Sequence, residues 1–308
     1  MLIVVPDYYD DFVCIAHKCR HSCCVGWEID IDDESYEFYK TVGGDFGKRF
    51  LNNIKCEDNI NSFVLDKNER CPFLNDRGLC DIIINCGEDA LCDICADHPR
   101  FRNFFDSRTE IGLGLCCEAA TELILSKKDK IQLVFEGAAD EEVKEESKFF
   151  EFREKIFDVL QNRKIPLHIR IENMLSLTNT RYEVKSGEKY YRRFMGLERL
   201  QSDWEEYLKK LKDFDYNDAK RLLDGEYQTV FENLAVYLVF RHFADGFFND
   251  NLEKAAQFVA ESIYVIAGIC VGLEKENEKL KFDDITEVCR RYSSEIEYSD
   301  ENIEILMK

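Results

Sequence analysis

The spacing of apolar positions changes part-way along the chain. From residue 149 onward apolar residues recur at helical intervals, as in Phe149, Phe152, Ile156 and Leu160. The same pattern predicts helices over 149–160, 167–177, 190–211, 230–247, 252–273 and 282–307. Before residue 126 the apolar runs are short and interrupted. A helix is predicted over 33–54, with Asp32 or Asp33 as N-cap, and shorter helices over 88–96 and 118–125. A strand is predicted at 62–65, and 101–105 is expected to pair with 110–115 around Asp106-Ser107. Asn75-Asp76-Arg77-Gly78 is a turn signal. The expected fold is mainly α: an irregular, cysteine-rich α+β N-terminal half with small hairpins, followed by an α-helical C-terminal half. The domains are expected at 1–126 and 149–308. They are joined by a charge-rich linker, 127–148, that holds a candidate edge strand at 131–135.

Charge narrows the partners. With 41 basic and 62 acidic residues the formal net charge is −21, which repels phosphate backbones and anionic membrane surfaces. Neither nucleic acid nor membrane is expected as a partner, whereas a lysine-bearing protein is compatible. The apolar start from Leu2 to Val5 stops at Pro6 and Asp7 without a basic flank, so no secretory signal is expected. The apolar run 234–240 is too short to cross a bilayer. A cytoplasmic location is expected.

Cysteine usage carries the chemistry. Twelve of the fourteen cysteines lie between Cys14 and Cys117. In a reducing compartment such clustering argues for metal ligation over disulfides. The groups are Cys14-x4-Cys19-x3-Cys23-Cys24, Cys71 with Cys80, Cys92-x2-Cys95 and Cys116-Cys117. Cys71 and Cys80, separated by eight residues around the predicted turn, form a knuckle that aims two sulfurs at one point. The candidate ligands are Cys14, Cys19, Cys23, Cys24, Cys71, Cys80, Cys95 and Cys116. Cys56, Cys86, Cys270 and Cys289 read as small buried hydrophobes. The spacings match neither a zinc finger nor a bacterial ferredoxin run, so zinc and an iron–sulfur cluster both remain open.

At these residues the chain resembles the bacterial flagellin lysine N-methylase family. The matching stretches include Cys19-x3-Cys23-Cys24-x-Gly26-Trp27, Cys71-Pro72-Phe73-Leu74 with Gly78-Leu79-Cys80, and Cys116 with Glu118-Ala119-Ala120. In the C-terminal half they include Glu232-Asn233-Leu234, Phe240-Arg241-His242-Phe243 and Tyr292-Ser293 with Glu295-Ile296-Glu297. The resemblance implies methyl transfer from S-adenosylmethionine to lysine Nε of flagellin or a similar protein, and a 4Fe-4S cluster held by cysteines. Zinc is the alternative metal, and the alternative function is a non-enzymatic interaction or redox module that binds zinc or an iron–sulfur cluster.

Two helices offer candidate site residues. Asn233, Tyr237 and Arg241 fall at i, i+4 and i+8 on one helix face, with His242 beside them. Glu295, Tyr298 and Asn302 share a face of the last helix. Tyr237, Arg241, His242, Glu295 and Tyr298 are the catalytic candidates, and Asn233 and Asn302 the donor-binding ones. The competing explanation is a polar network joining the two helices, for example Arg241 to Glu295. Gly112-x-Gly114 lacks the third glycine of a nucleotide loop. The chain also lacks the Cys-x3-Cys-x2-Cys run of radical enzymes that cleave this donor, so polar catalysis is expected.

Overall fold

The computed structural model of the chain describes residues 2–138 and 143–307, and the chain divides into two units, 13–100 and 1–12 with 101–308. Strand β1 (Leu2–Pro6) opens the larger unit, after which the chain builds the smaller one: β2 (Asp30–Ile31), α1 (Asp33–Thr41), α2 (Gly44–Asn52), β3 (Ile54–Glu57), β4 (Ile60–Phe63), α3 (Asp81–Cys86) and α4 (Asp93–Asp97). The chain then returns through β5 (Arg100–Phe104), β6 (Arg108–Leu113), α5 (Glu118–Ser126) and β7 (Leu133–Glu136). The remainder is helical: α6 (Lys144–Leu160), α7 (Leu167–Leu177), α8 (Gly187–Met195), α9 (Trp204–Lys209), α10 (Tyr216–Asp224), α11 (Gln228–Phe248), α12 (Leu252–Asn277), α13 (Phe282–Tyr292) and α14 (Asp300–Met307). The fold is mainly α, with its small strands concentrated in the first 136 residues.

In the smaller unit, Asp32 caps α1 by accepting from the Ser35 amide at 2.8 Å. The helix expected over 33–54 is two helices, because Gly43-Gly44 interrupts it and Gly44 takes a φ of +71° that glycine alone adopts without strain. The core beneath is aromatic. Tyr39 and Phe50 stack at 4.1 Å, Phe50 meets Phe73 at 4.7 Å, and Phe63 meets Phe73 at 5.0 Å. A three-stranded sheet, β2-β4-β3, lies alongside.

The larger unit carries a sheet of order β5-β6-β1-β7, in which β1 runs parallel to β6 and antiparallel to β7. These pairings shift the domain boundaries from those read in the sequence. Hydrogen bonds from β1 bind residues 2–6 to β6 and β7 of the larger unit, and β7 within the charged segment is an edge strand of the same sheet, its partners running from Ile3↔Glu136 to Pro6↔Leu133. The boundary therefore falls at residue 100 rather than 126.

Helices α11 and α12 form the centre. α12 is long and apolar enough by composition to cross a membrane, yet 89% of its most apolar stretch is buried in the fold. A helix apolar on every side belongs inside a protein core as readily as in a bilayer. The helix expected over 190–211 is broken after α8, and α10 lies where none was expected, capped by Asp215 on the amides of Asn217 and Asp218. The expected helix 282–307 is also broken, by a π-helical turn over Ser293–Glu297.

Buried charges tie the helices together. Glu232 of α11 is fully buried; it accepts from Arg170 of α7 at 2.5 Å and from Arg163 Nε at 2.9 Å. Glu110 of β6 takes two hydrogen bonds from Arg153 of α6, at 2.5 and 2.6 Å. Removing one member of such a pair leaves an uncompensated buried charge. Glu232→Ala is expected to lower the unfolding free energy by about 3–5 kcal/mol, measured by urea unfolding. A loss under about 1 kcal/mol, the scale of a surface pair, would show that Arg170 needs no partner.

Candidate functional site

Six cysteines of the smaller unit interact with one another. Cys24 is drawn down to about 7 by a hydrogen bond with Cys23. Cys71 is pushed up to about 12 by burial and by the nearby Cys24 and Cys80. Burial also raises Cys80, with Cys24 adding to the effect. The Cys95 thiol donates to Cys92, which lowers Cys92 and raises Cys95, and Cys24 and Cys71 raise Cys95 further. Backbone amides face the sulfurs as well: those of Phe73 and Leu74 at Cys71, and those of Ile82 and Ile83 at Cys80. This is the knuckle that the spacing of Cys71 and Cys80 predicts. It is held by the turn in which the Asn75 side chain accepts from the amides of Arg77 and Leu79.

Cys24, Cys71, Cys80 and Cys95 of the expected ligand set are thus brought into one neighbourhood, with Cys23 hydrogen-bonded at its edge. Cys14 is exposed and Cys19 donates to the carbonyl of His21. Cys92 is a member that the ligand set omitted, although Cys92-x2-Cys95 signalled it. Among the described residues, no group of three or more His, Cys, Asp or Glu is arranged to hold a metal ion. The thiols supply the right donor type and the backbone supplies amides to them, but the sulfurs share a neighbourhood rather than a common centre.

Cys116 belongs to the larger unit and to a different constellation. Burial raises its thiol to about 12, and the Tyr298 hydroxyl donates to it. The Tyr298 ring covers the Arg241 guanidinium at 4.8 Å, and Phe101 lies on the same cation at 4.9 Å. Arg241 donates to the Tyr237 hydroxyl at 2.9 Å and to the Glu297 carbonyl at 3.2 Å. Tyr237 accepts from the Leu115 amide and donates to Glu297 Oε2 at 3.0 Å. His242 Nε2 lies 2.7 Å from Glu297 Oε1. Tyr237, Arg241 and His242 meet at this one carboxylate, whose side chain is fully buried, while Phe101 and Tyr298 cover Arg241.

Burial alone would raise Glu297. The charge of Arg241 and the hydrogen bond from His242 overcome this and hold it at about 2. Burial keeps His242 below the usual histidine range despite the carboxylate, so the imidazole is neutral and donates through Nε2. The π turn produces this convergence. One extra residue per turn re-aims the side chains of the expected last helix, so Arg241 meets Glu297 and not Glu295.

Glu295, Asn302 and Asn233 do other work. Glu295 accepts from the amides of Leu200 and Gln201, both at 2.8 Å, and Asn302 bonds the amide and carbonyl of Glu198. Together they pin the loop that splits the expected 190–211 helix. Asn233 donates to the carbonyls of Ile124 and Lys127 at the end of α5, while its Oδ1 is buried without a hydrogen-bond partner among the described residues. Glu297 is not among the candidates that the sequence offers; its signal is its place in Glu295-Ile296-Glu297, two residues beyond Glu295.

Residues 110–308, well over half the chain, match the family described as FliB lysine N-methylase C-terminal domain. The chain belongs to this family. Its relatives include the lysine-N-methylases of Salmonella choleraesuis and Salmonella typhimurium, each 26% identical over 144 residues, which are 42% of this chain and 34% of the relative. The flagellar biosynthetic protein FliU of Salmonella muenchen is 26% identical over 144 residues, 81% of its length. The alignment thus spans about a third of each lysine-N-methylase. No solved structure matches. The FliB match contains every member of the Glu297 network except Phe101, and Cys116 as well; the thiol group of residues 23–95 lies before it.

The network predicts a pH dependence in this FliB-family chain. Glu297 has an ordinary value of 4.5, so its contribution is complete above 4.5 and lost as pH falls through about 2. His242 acts in the same sense, its contribution complete above 6.5 and lost on acidification. Glu295, raised to about 7 by burial, acts oppositely: its contribution is complete below 4.5 and lost as pH rises through about 7. Glu297→Gln is expected to cost on the order of 3 kcal/mol at neutral pH and to flatten the acid limb below pH 4.5. Urea unfolding at a series of pH values checks it, and an unchanged acid limb contradicts it.

Proposed function

We propose that this chain is a protein-lysine N-methyltransferase that uses S-adenosylmethionine and acts on flagellin or a similar lysine-bearing protein. The observation that carries the reading is the family match over 110–308, which encloses the Glu297 network. Methyl transfer to an amine needs a neutral nucleophile, and free lysine titrates near 10.4. The amine lone pair forms the new N–C bond as the S–C bond of the donor breaks, the electron pair of that bond leaves on the now neutral thioether sulfur, and the methylated ammonium then gives its proton to water. The sulfonium is already electrophilic, so the protein's task is positioning.

Arg241 fits the donor's carboxylate. A guanidinium has five N–H donors in a planar fork, and its shown contacts, to Tyr237 and to the Glu297 side chain and carbonyl, use three of them. Tyr298 is 40% exposed and lies over this cation, where its ring and hydroxyl orient the lysine amine. Glu297 keeps Arg241 charged and His242 keeps the carboxylate in place. In the smaller unit, a metal group would draw its ligands from the neighbouring thiols of Cys24, Cys71, Cys80, Cys92 and Cys95, which would have to close onto a common centre and lose their protons on binding. A 4Fe-4S cluster would supply a crosslink and a one-electron couple; zinc would supply the crosslink alone.

Two measurements test this. Calorimetry is expected to show S-adenosylmethionine binding that weakens by about 10- to 100-fold in Arg241→Ala, the loss of a charge-assisted contact; no binding to the wild-type chain contradicts it. Oxygen-free purification with iron and sulfide analysis is expected to give a brown protein whose iron is lost in Cys71→Ser/Cys80→Ser. A colourless zinc protein would select the other metal. Detection of 5′-deoxyadenosine during turnover would reject polar transfer.

A further inference from the structure

Away from the Glu297 network, α12 presents Glu253, Gln257, Glu261 and Tyr264 at i, i+4, i+8 and i+11, one face of the helix. The irregular segment between α7 and α8 lies along that face. The Thr180 hydroxyl meets the Glu253 carbonyl at 3.5 Å, and Gln257 donates to the Arg181 carbonyl at 3.3 Å. The Tyr182 ring runs parallel to that of Tyr264 at 6.2 Å. At the end of this track Lys185 Nζ lies 2.7 Å from Glu261 Oε1.

The surroundings of that ammonium are those of a cation cage. The ring of Tyr182 is 5.1 Å from Nζ and that of Tyr190 is 5.6 Å away. Their hydroxyls are joined at 2.6 Å, and Tyr190 also accepts from the Lys185 amide. Glu261 is almost fully buried, and its other oxygen meets Arg193 at 3.2 Å. Aromatic faces and a desolvated carboxylate bind alkylammonium groups well, with or without N-methyl substituents. The cage is also near the network: after burial, the charges of Glu261 and Glu297 both act on the Tyr292 hydroxyl, and Tyr292 itself bonds Ser262, the residue after Glu261.

We propose that the Glu261–Tyr182–Tyr190 cage is a lysine-recognition site for an external lysine-bearing segment, held in this structure by the chain's own Lys185. This rests on the methyltransferase reading for its biological use, but the cage itself is defined by binding. The resident lysine competes with the incoming one. Apparent affinity is reduced by the fraction of chains in which Lys185 has left the cage.

The test measures binding and not turnover. The probe is Nα-acetyl-lysine methylamide, titrated by calorimetry against the full chain. Lys185→Ala is expected to bind it about tenfold more tightly than wild type, and Lys185→Ala/Glu261→Gln is expected to lose that gain. Lys185→Met keeps the aliphatic packing and should show the same gain if the alanine variant does not fold. In the wild-type chain, saturating probe should raise the reactivity of Lys185 toward reductive methylation, read by peptide mass spectrometry. Equal affinity in wild type and the folded Lys185 variant, or Lys185 reactivity unmoved by the probe, overturns the proposal. Such a result leaves methyl transfer at the Glu297 network standing. A chain that passes this binding test but transfers no methyl group overturns the methyltransferase reading instead.

Discussion

A carboxylate with no access to water must be surrounded by donors or lose its charge. Glu297 is so surrounded, by Tyr237, Arg241 and His242, and the arrangement of the C-terminal helices follows from that requirement. Three of its contacts come from consecutive turns of α11, and the carboxylate itself comes from the π turn between α13 and α14. A regular helix through 293–297 would aim that side chain elsewhere. The same turn places Glu295 on the amides of Leu200 and Gln201 and leaves Tyr298 at the surface over Arg241. One irregularity in the backbone thus fixes a buried ionic network, a loop anchor and an exposed tyrosine.

The two units solve different problems. The larger one buries apolar surface around α11 and α12 and can spend that stability on buried charge at Glu110, Glu232 and Glu297. The smaller one has an aromatic core of Tyr39, Phe50, Phe63 and Phe73, and its cysteines lie beside it, with the Tyr39 hydroxyl reaching both Cys92 and the Ala90 carbonyl. Small units with limited cores commonly depend on crosslinks or metals. A metal bound by the thiols would therefore act as folding free energy for this unit.

Much of this was legible in the sequence. The helical period marked α6, α7, α11 and α12, whose cores repeat at three and four residues; α7 was located to the residue. The Asp32 cap, the pairing of β5 with β6 and the edge strand β7 followed from local signals. What the sequence did not show depends on long-range partners. The break after α8 is held by Glu295 and Asn302, about a hundred residues away, and no local signal at Leu197–Gln201 announces them. The π turn is likewise invisible to helical periodicity, which is why Glu295 was chosen where Glu297 does the pairing. The boundary at residue 100 depends on β1 joining a sheet whose other strands follow a hundred residues later. Of the thiols chosen from the sequence, Cys23, Cys24, Cys71, Cys80 and Cys95 share one neighbourhood, with Cys71 and Cys80 flanking a turn that local chemistry specifies, whereas Cys14 is exposed, Cys116 lies with Tyr298, and Cys92 joins from outside the set.

A charged, buried Glu297 organises the face at which methyl transfer is proposed. The most direct measurement is mass spectrometry of flagellin lysines after incubation with S-adenosylmethionine and either the wild-type chain or Glu297→Gln, each confirmed folded by circular dichroism. The expected result is methylated lysine with one equivalent of demethylated donor for the wild-type chain, and transfer reduced by at least about a hundredfold in the variant. Methylation that proceeds equally well in Glu297→Gln would contradict it.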